Sequence, residues 1–363
     1  MTLSMTGVHE NLALEGLLAA RIQGGERILF LWRNNPCVVI GRNQNPYAEC
    51  DLSAMAQGGV TLARRPSGGG AVYHDHGTLN VSLITPRQDE AACDLIGLLV
   101  AVLRDFGLDA EASGRNDVVV HSADGTSKKC AGSAYFRTST AYCHHVCILL
   151  NTDLARLQQV LHPPDVKLRT KGVASVKARV GNLGLDMDAL CRAIEQKAAI
   201  LYGAKIPADV ASGAHAEPGV PTEPGVHDIH TAVSARGKPG TPSKHNAYAE
   251  PGTPIERTPQ YRTLLERFRS DAWLFGRFEE QPLQQFRFNW GTLGIVMETR
   301  GDTLWRIQLA TDAMEQEGWA KLQHDLTGAS KTEAENIVAA SGIAKETRPD
   351  VAAQIKSLWD FVG

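Results

Sequence analysis

Residues 62–77, LARRPSGGGAVYHDHG, set two arginines, a proline and a serine directly ahead of three consecutive glycines, which then run into the strand-like AVYHD. Glycine gives up more backbone freedom on folding than any other residue, so three together need a reason. A linker can hold such a run, but a linker is rarely flanked by ARR on one side and AVY on the other. Consecutive glycines let several backbone N–H groups converge on an oxyanion with no Cβ in the way. Arg64 and Arg65 could add a guanidinium fork for a phosphate or carboxylate. The run matches neither the P-loop consensus nor the dinucleotide GxGxxG. By itself it is evenly balanced against a glycine-rich turn beside a solvated basic pair.

The neighbouring pattern is that of a sheet protein. ILFLW (28–32), a turn RNNP and CVVIG (37–41) read as strand, turn and strand. AVYHD, a break at His76-Gly77 and TLNVSLI (78–84) read as a further pair, with Leu79, Val81 and Leu83 alternating toward one face. A buried helix is predicted over Glu90–Phe106, ended by Gly107. NDVVV, KKCAGSAY and AYCHHVCILL follow, then a helix from Asp153 capped by Thr152 and stopped by Pro163-Pro164. The helix Asp186–Tyr202 carries Leu190, Ile194, Ala198 and Leu201 on one face. Between 213 and 254, AEPG, TEPG and AEPG recur at Ala216, Thr222 and Ala249. So much proline and glycine with few large apolar residues cannot repay ordering entropy, which predicts a disordered insert. Beyond it come YRTLLERF, WLFG, a hairpin around Arg300-Gly301-Asp302, and helices around Met314–Leu326, Lys331–Ala340 and Asp350–Phe361. The expected organisation is a first domain over 1–205, a Pro/Gly-rich insert over 206–258 and a smaller α/β domain over 259–363.

Bulk properties narrow the function. A net charge of −3 among 21% charged residues gives no basic face to attract nucleic acid. No apolar run reaches the roughly 18 residues of a membrane span. The cysteines, 7 in number, are odd and scattered, which fits reduced thiols better than a disulfide framework. The first twenty residues lack arginine and carry Glu10 and Glu15, fitting neither a transit nor a signal peptide.

Two further stretches carry charge into small-residue surroundings. In TSKKCAGSAYF (126–136) two lysines stand before a small-residue turn, and a lysine is a compact charge able to neutralise both a carboxylate and the phosphate it attacks; an exposed lysine pair is the bland alternative. In EASGRNDVVV (111–120), Asp117 at the mouth of a strand could orient a lysine or help a magnesium ion, or simply belong to a turn. Cys143, His144, His145 and Cys147 have ligand-type side chains, as do His74 and His76. Alternation places Cys143, His145 and Cys147 on one strand face and His144 on the other, and no second ligand pair at zinc spacing follows, so no protein metal cluster is expected.

Taken in order, GRNQNPYAEC (41–50), ARRPSGGGAVYHD (63–75), GRNDVVV (114–120), KKCAGSAYF (128–136), HHVCILLNTDL (144–154) and KGVASVKARVGNL (171–183) resemble the lipoate-protein ligase A family. The likeness covers nearly all of residues 7–203 and continues more weakly through WLFG, FNWGTLGIVME and QLATD, as in the accessory domain of the family's long form. It implies an α+β fold, the mixed sheet with flanking helices of biotin ligases and class II aminoacyl-tRNA synthetases, plus a small C-terminal α/β accessory domain. It implies that lipoate and ATP, supplied as Mg-ATP, give lipoyl-AMP and pyrophosphate. A monomeric enzyme would then pass the lipoyl group to a lysine of a lipoyl-carrier domain, in E2 subunits of 2-oxo-acid dehydrogenases or the glycine cleavage H protein. By this resemblance residues 1–205 hold lipoate and ATP. Lys129 is catalytic, contacting both the lipoate carboxyl and the α-phosphate. Arg65, Gly70, Ala71, Val72, Tyr73 and Asp117 join it around the adenylate, Ser67 and Gly69 around lipoate. Mg2+ would arrive with ATP, with Asp117 a potential ligand. The acyl tail would be lined from CVVIG and TLNVSLI, and KGVASVKARVGNL would close over the adenylate. Pro66 departs from the polar or basic residue many relatives have there. Two rivals remain: an ATP-independent lipoyl or octanoyl transferase acting between carriers or from preformed lipoyl-AMP, and a non-catalytic lipoyl-domain binding protein. Biotin ligation is disfavoured because GRGRxGR is absent. Preference between lipoate and octanoate stays open, and the insert suggests a eukaryote and hence a mitochondrial protein, with a cytoplasmic one as the alternative.

Overall fold

A computed structural model describes residues 7–114, 116–161, 180–202, 233–234, 258–281 and 283–362. The predicted disordered insert lies outside the described residues except for 233–234 and 258, as does most of the closing-loop candidate, 171–179. In chain order the first elements are α1 (Val8–Arg21), β1 (Ile28–Trp32), β2 (Cys37–Ile40), α2 (Pro46–Glu49), α3 (Leu52–Gln57), β3 (Thr61–Arg64), β4 (Val72–His74) and β5 (Thr78–Pro86). Then come α4 (Leu95–Asp105), β6 (Asp109–Ser113), β7 (Asp117–His121), β8 (Ser127–Arg137), β9 (Ala141–Leu149), α5 (Leu154–Val160), α6 (Met187–Tyr202) and β10 (Val233–Ser234). The C-terminal part holds α7 (Pro259–Arg269), α8 (Asp271–Leu274), β11 (Gln284–Phe288), β12 (Gly291–Arg300), β13 (Thr303–Thr311), α9 (Trp319–Leu326), α10 (Lys331–Ala340) and α11 (Arg348–Val362).

The apparent local pairs split between sheets. β1 and β5 pair in a seven-stranded sheet ordered β10-β1-β5-β9-β8-β7-β6, whereas β2 joins β3 and β4 in a small three-stranded sheet. All neighbours in the large sheet are antiparallel, and β2 runs parallel to β3. The reason lies in burial: β2 is apolar and buried throughout, so it needs cover on both faces, and a place between two layers provides that. The α+β class with a mixed set of strands and flanking helices agrees with the sequence reading.

Leu79, Val81 and Leu83 do share a face, together with Leu31, Val118, Ala131, Val146 and Ile148, and this face packs on α4 and α6. The other face carries Trp32, Asn80, Ser82, Gly132, Cys143, His145 and Cys147. Leu12 and Leu17 of α1, with Tyr261 and Phe268 of α7, cover its Cys143 end. The small sheet stands over the rest. Its far side, with Val38, Ile40 and Tyr73, rests on Met55 and Val160.

Local corrections have capping causes. α4 begins at Leu95 because the Asp94 carboxylate accepts from the Gly97 amide at 2.8 Å, and 87–92 forms a separate 3-10 turn. Asp153, not Thr152, caps α5 through the Arg156 amide. Leu201 leaves the buried stripe of α6 and is 53% exposed. KKCAGSAY, expected to hold a small-residue turn, is continuous strand within β8. The Arg300-Gly301-Asp302 hairpin joins β12 and β13, and α9 to α11 cover that sheet through Trp319, Val338 and Ile355. The first of these helices starts at Trp319 rather than near Met314.

The C-terminal part is tied to the first by polar groups, buried at Arg64 and Asn43 and half-buried at Arg137. Arg64, expected as an anion fork, gives its N–H groups to the carbonyls of Gly41, Arg42 and Gln44 on one side and Trp273 and Leu274 on the other. Burial and the nearby Arg277 charge lower its pKa to about 9, and no donor face is left for a ligand. GRNQN works the same way: Asn43 donates to Gln316 O at 3.0 Å and its own carbonyl accepts from the Thr311 amide at 2.9 Å. Arg137, stacked over Tyr135, bridges Glu90 and Glu315, and the Tyr135 hydroxyl donates to Glu315 at 2.6 Å.

Candidate active site

Between the polar face of the large sheet and the small sheet lies a cavity of about 570 Å³, within the range of small-molecule sites. Residues from the C-terminal part, Arg287, Trp290 and Met314 among them, complete its wall. No helix among the described residues is long and apolar enough to cross a membrane.

Lys129 reaches this cavity because β8 is irregular. Gly132 pairs with Asp117 and Ala131 with Val118, but Val119 then pairs with Lys129, leaving Cys130 as an extra residue. A plain strand would send Lys129 and Gly132 to opposite faces; the bulge puts them on the same one, with Asp117. Lys129 Nζ lies 2.7 Å from Asp117 Oδ1, close enough for an ion pair although the angle does not make a hydrogen bond. Gly132 makes room: a Cβ there would stand 3.3 Å from Lys129 Cε and Nζ. The described end of KGVASVKARVGNL runs past the same place, Gly181 N–H donating to Lys129 O at 3.0 Å.

The three glycines have different reasons. A Cβ on Gly68 would sit 2.2 Å from Ala313 O and 2.5 Å from Met314 O, so the loop before α9 rests directly on it. Gly69 has φ of 86°, a left-handed conformation that side chains disfavour. A Cβ on Gly70 would meet nothing within 4 Å among the described residues, which leaves room there for a ligand. Behind the loop, Arg65 donates to Val39 O at 2.9 Å and to Gly68 O and Gly70 O at 2.7 Å. Burial lowers its pKa to about 10. These bonds turn the loop carbonyls toward the guanidinium, and the Gly70 and Ala71 amides have no acceptor among the described residues. Such amides can receive an anion.

Arg65, Gly69, Gly70, Ala71, Val72, Tyr73, Asp117 and Lys129 all border the cavity. Arg65 does so as a brace for the loop, and the Tyr73 ring is only 1% exposed in the core behind the small sheet. Ser67 is not on the cavity wall. Its hydroxyl is fully buried, linking Arg65 Nε at 2.9 Å to His145 Nε2 at 2.8 Å. TLNVSLI contributes Asn80 to the wall, because Leu79, Val81 and Leu83 face the opposite core. Val39 of CVVIG also lines it.

Sequence reasoning missed Glu15. It lies within the apolar run LALEGLLAA with no motif around it, yet it is 0% exposed and holds a relay. Trp32 Nε1–H donates to Ser82 Oγ at 2.9 Å, the Ser82 hydroxyl donates to Glu15, and Glu15 pairs with His145 Nδ1 at 2.9 Å. Through Ser67 the relay reaches Arg65 and the glycine loop. Burial alone would raise the Glu15 pKa, but the charge of His145 and bonds from His145 and Ser82 hold it below the ordinary value. Glu15, Cys143 and His145 also place ligand-type atoms within 4.8 Å of one another. Burial and Glu15 push the Cys143 thiol far up, away from the thiolate that metal binding needs. The group is therefore a hydrogen-bonded brace.

Since the folded-state pKa of Glu15 is depressed, its stabilisation is complete above about pH 4.5, where a free glutamate is ionised, and is lost as pH falls through the lowered value. Glu15→Gln should lower unfolding stability near neutral pH by about 3 kcal/mol and flatten the acid limb of the stability profile. Urea unfolding followed across the acid range checks both; an unchanged acid limb would remove Glu15 from the relay.

Residues 8–198 match the family of the lipoyl protein ligase A/B catalytic domain. The whole fold is similar to P. falciparum LipL1, crystallised in complex with lipoate, at a TM-score of 0.71 and 23% identity over 98% of both chains. It is also similar to a bipartite lipoate protein ligase from Thermoplasma acidophilum, analysed with its E2 lipoyl domain (TM-score 0.54, 25% identity, 77% of this chain and 96% of that one). A lipoate-protein ligase A bound with ATP gives a TM-score of 0.50 at 22% identity, covering 76% of this chain and 99% of that one.

Proposed function

Because the chain belongs to the lipoyl protein ligase A/B catalytic-domain family, we propose that it is an ATP-dependent lipoate-protein ligase working through lipoyl-AMP. One observation carries this reading: the bulge in β8 aims Lys129 into the cavity that the unpaired Gly70 and Ala71 amides border. Joining a carboxylate to a phosphate brings like charges together, and a fixed ammonium lowers that repulsion most where charge concentrates in the transition state. The loop amides take phosphate oxygens, Asp117 holds the ammonium in place, and the lipoate carboxylate attacks the α-phosphorus with loss of pyrophosphate. The amine of an acceptor lysine then forms an amide with the acyl carbon, giving up a proton as AMP leaves. No residue of this chain becomes acylated.

Lipoate bound to the P. falciparum relative and ATP bound to the lipoate-protein ligase A support the two substrates. The E2 lipoyl domain studied with the Thermoplasma ligase supports a lipoyl-carrier domain as acceptor. Magnesium would arrive with ATP; Asp117 could help hold it only in competition with the Lys129 ammonium 2.7 Å away, and the group of Glu15, Cys143 and His145 includes a thiol that a hard cation does not favour. The division into a catalytic part (1–205) and an accessory part (259–363) belongs to the proposal, with α7 packed on α1 as the junction.

The test is pyrophosphate release by the purified protein with lipoate and Mg-ATP and no acceptor. Lipoate-dependent release supports the ligase. Absence of release, with lipoyl transfer to an apo carrier domain from lipoyl-AMP or an acylated carrier, would make the protein a transferase instead.

A further inference from the structure

Two buried donors on the cavity wall lack partners among the described residues, and a chain of hydrogen bonds determines the tautomer of one of them. Asn11 Nδ2 donates to the backbone carbonyl of Arg33 at 2.8 Å, which fixes that amide's orientation. Its second N–H meets Asn34 Oδ1 at 2.9 Å, so Asn34 turns Nδ2 toward His74 Nδ1 at 3.0 Å. His74 Nδ1 must therefore accept, and the ring proton sits on Nε2. Burial, with the Arg65 charge, lowers the His74 pKa to about 3, which keeps the ring neutral. His74 is 3% exposed and borders the cavity, and Nε2 has no partner among the described residues. The same holds for Asn80: 3% exposed, on the wall, with Nδ2 unpaired.

Their position relative to Lys129 follows from the register. Gly132, beneath the Lys129 amino group, is opposite Cys147, which is opposite Asn80, which is opposite Trp32. Asn80 is thus two strands from Gly132, about 10 Å at the usual strand spacing. Trp32 meets the His74 ring edge-on at 6.3 Å, which puts all three side chains in one corner. An acid whose carboxylate sits at Lys129 extends its far end into this corner, a distance comparable with the acyl arm of lipoate. That end of lipoate is a disulfide ring, whose sulfurs are weak acceptors; the end of octanoate is a methyl group with no acceptor.

We infer that His74 and Asn80 are specificity-determining residues, their N–H groups selecting an acyl chain that ends in a sulfur ring over a plain alkyl chain. The inference rests on the ligase reading for the direction in which the acid lies. An alkyl tail leaves both donors stranded, whereas a ring sulfur gives them a partner. Trp32, the third side chain of the corner, has its own N–H engaged by Ser82.

The test is calorimetric binding of lipoate and of octanoate to the full chain without ATP, so the result can be read whether or not an adenylate forms. The wild type should prefer lipoate by about tenfold, the scale of one or two modest hydrogen bonds. His74→Phe and Asn80→Leu should each bring the ratio of the two dissociation constants toward one. His74→Gln, which restores a side-chain N–H, should recover part of it. Equal binding of the two acids by the wild type, no binding of either, or a ratio that folded variants leave unchanged would overturn the inference. Lipoate-selective binding without pyrophosphate release would leave it standing while sinking the ligase reading.

Discussion

Lys129→Ala should reduce lipoate-dependent pyrophosphate release by about 10² to 10³-fold in kcat/KM, the usual loss when one fixed charge-stabilising donor is removed. Its unfolding midpoint should hardly move. Lys129 and Asp117 are 35% and 31% exposed, and a pair that open to solvent contributes under about 1 kcal/mol to stability. Lys129→Arg should not restore activity, because the amino group occupies the gap left by the missing side chain of Gly132, too tight for a planar guanidinium. Single-turnover measurement of pyrophosphate release beside urea unfolding separates the two effects. Near-normal release from a folded alanine variant would remove Lys129 from the chemistry.

Gly68→Ala should damage both stability and nucleotide use, while Gly70→Ala should damage only the second. The new methyl at Gly68 meets two backbone carbonyls, Ala313 O at 2.2 Å and Met314 O at 2.5 Å, and neither can rotate aside. Either the loop retreats or the segment before α9 lifts, at about 1 to 3 kcal/mol. Because that segment completes the cavity wall, KM for ATP should rise by about tenfold or more, and cleavage by a protease between the two parts should quicken. The Gly70 methyl meets no atom of the described residues, so the unfolding curve should match the wild type while KM for ATP rises. Matching unfolding curves for both variants would mean that the C-terminal part does not rest on the glycine loop.

Sequence alone read several features through local physics. The alternation of Leu79, Val81 and Leu83 gave the buried face of β5, and the 3.6-residue spacing of Leu190, Ile194 and Ala198 gave that of α6. Asp94 and Asp153 show the limit of such reading: each is a better cap than the start inferred for its helix, and capping is decided by which side chain actually meets a free amide. The glycine run and the lysine pair were legible as candidates because their composition is unusual. Glu15 was invisible, since a carboxylate inside an apolar helix is explained only by the His145 and Ser82 that reach it from β9 and β5.

Legible before folding were therefore most of the elements, the faces they bury and the residue types able to handle an anion, with the α+β class implied by the family resemblance. Which strands pair emerges on folding, since β1 and β2 are adjacent in the chain but find partners in different sheets. Folding alone separated Arg64, a clamp between two parts of the chain, from Arg65, the brace behind the loop, and Ser67, hidden behind that loop, from the residues on the cavity wall. And it alone turned Lys129 to the cavity, through one extra residue at Cys130. The physical reason is common to all of these: periodicity and propensity act within one element, whereas pairing, bulges and the burial of charge depend on groups that are distant in the chain and meet only once it has folded.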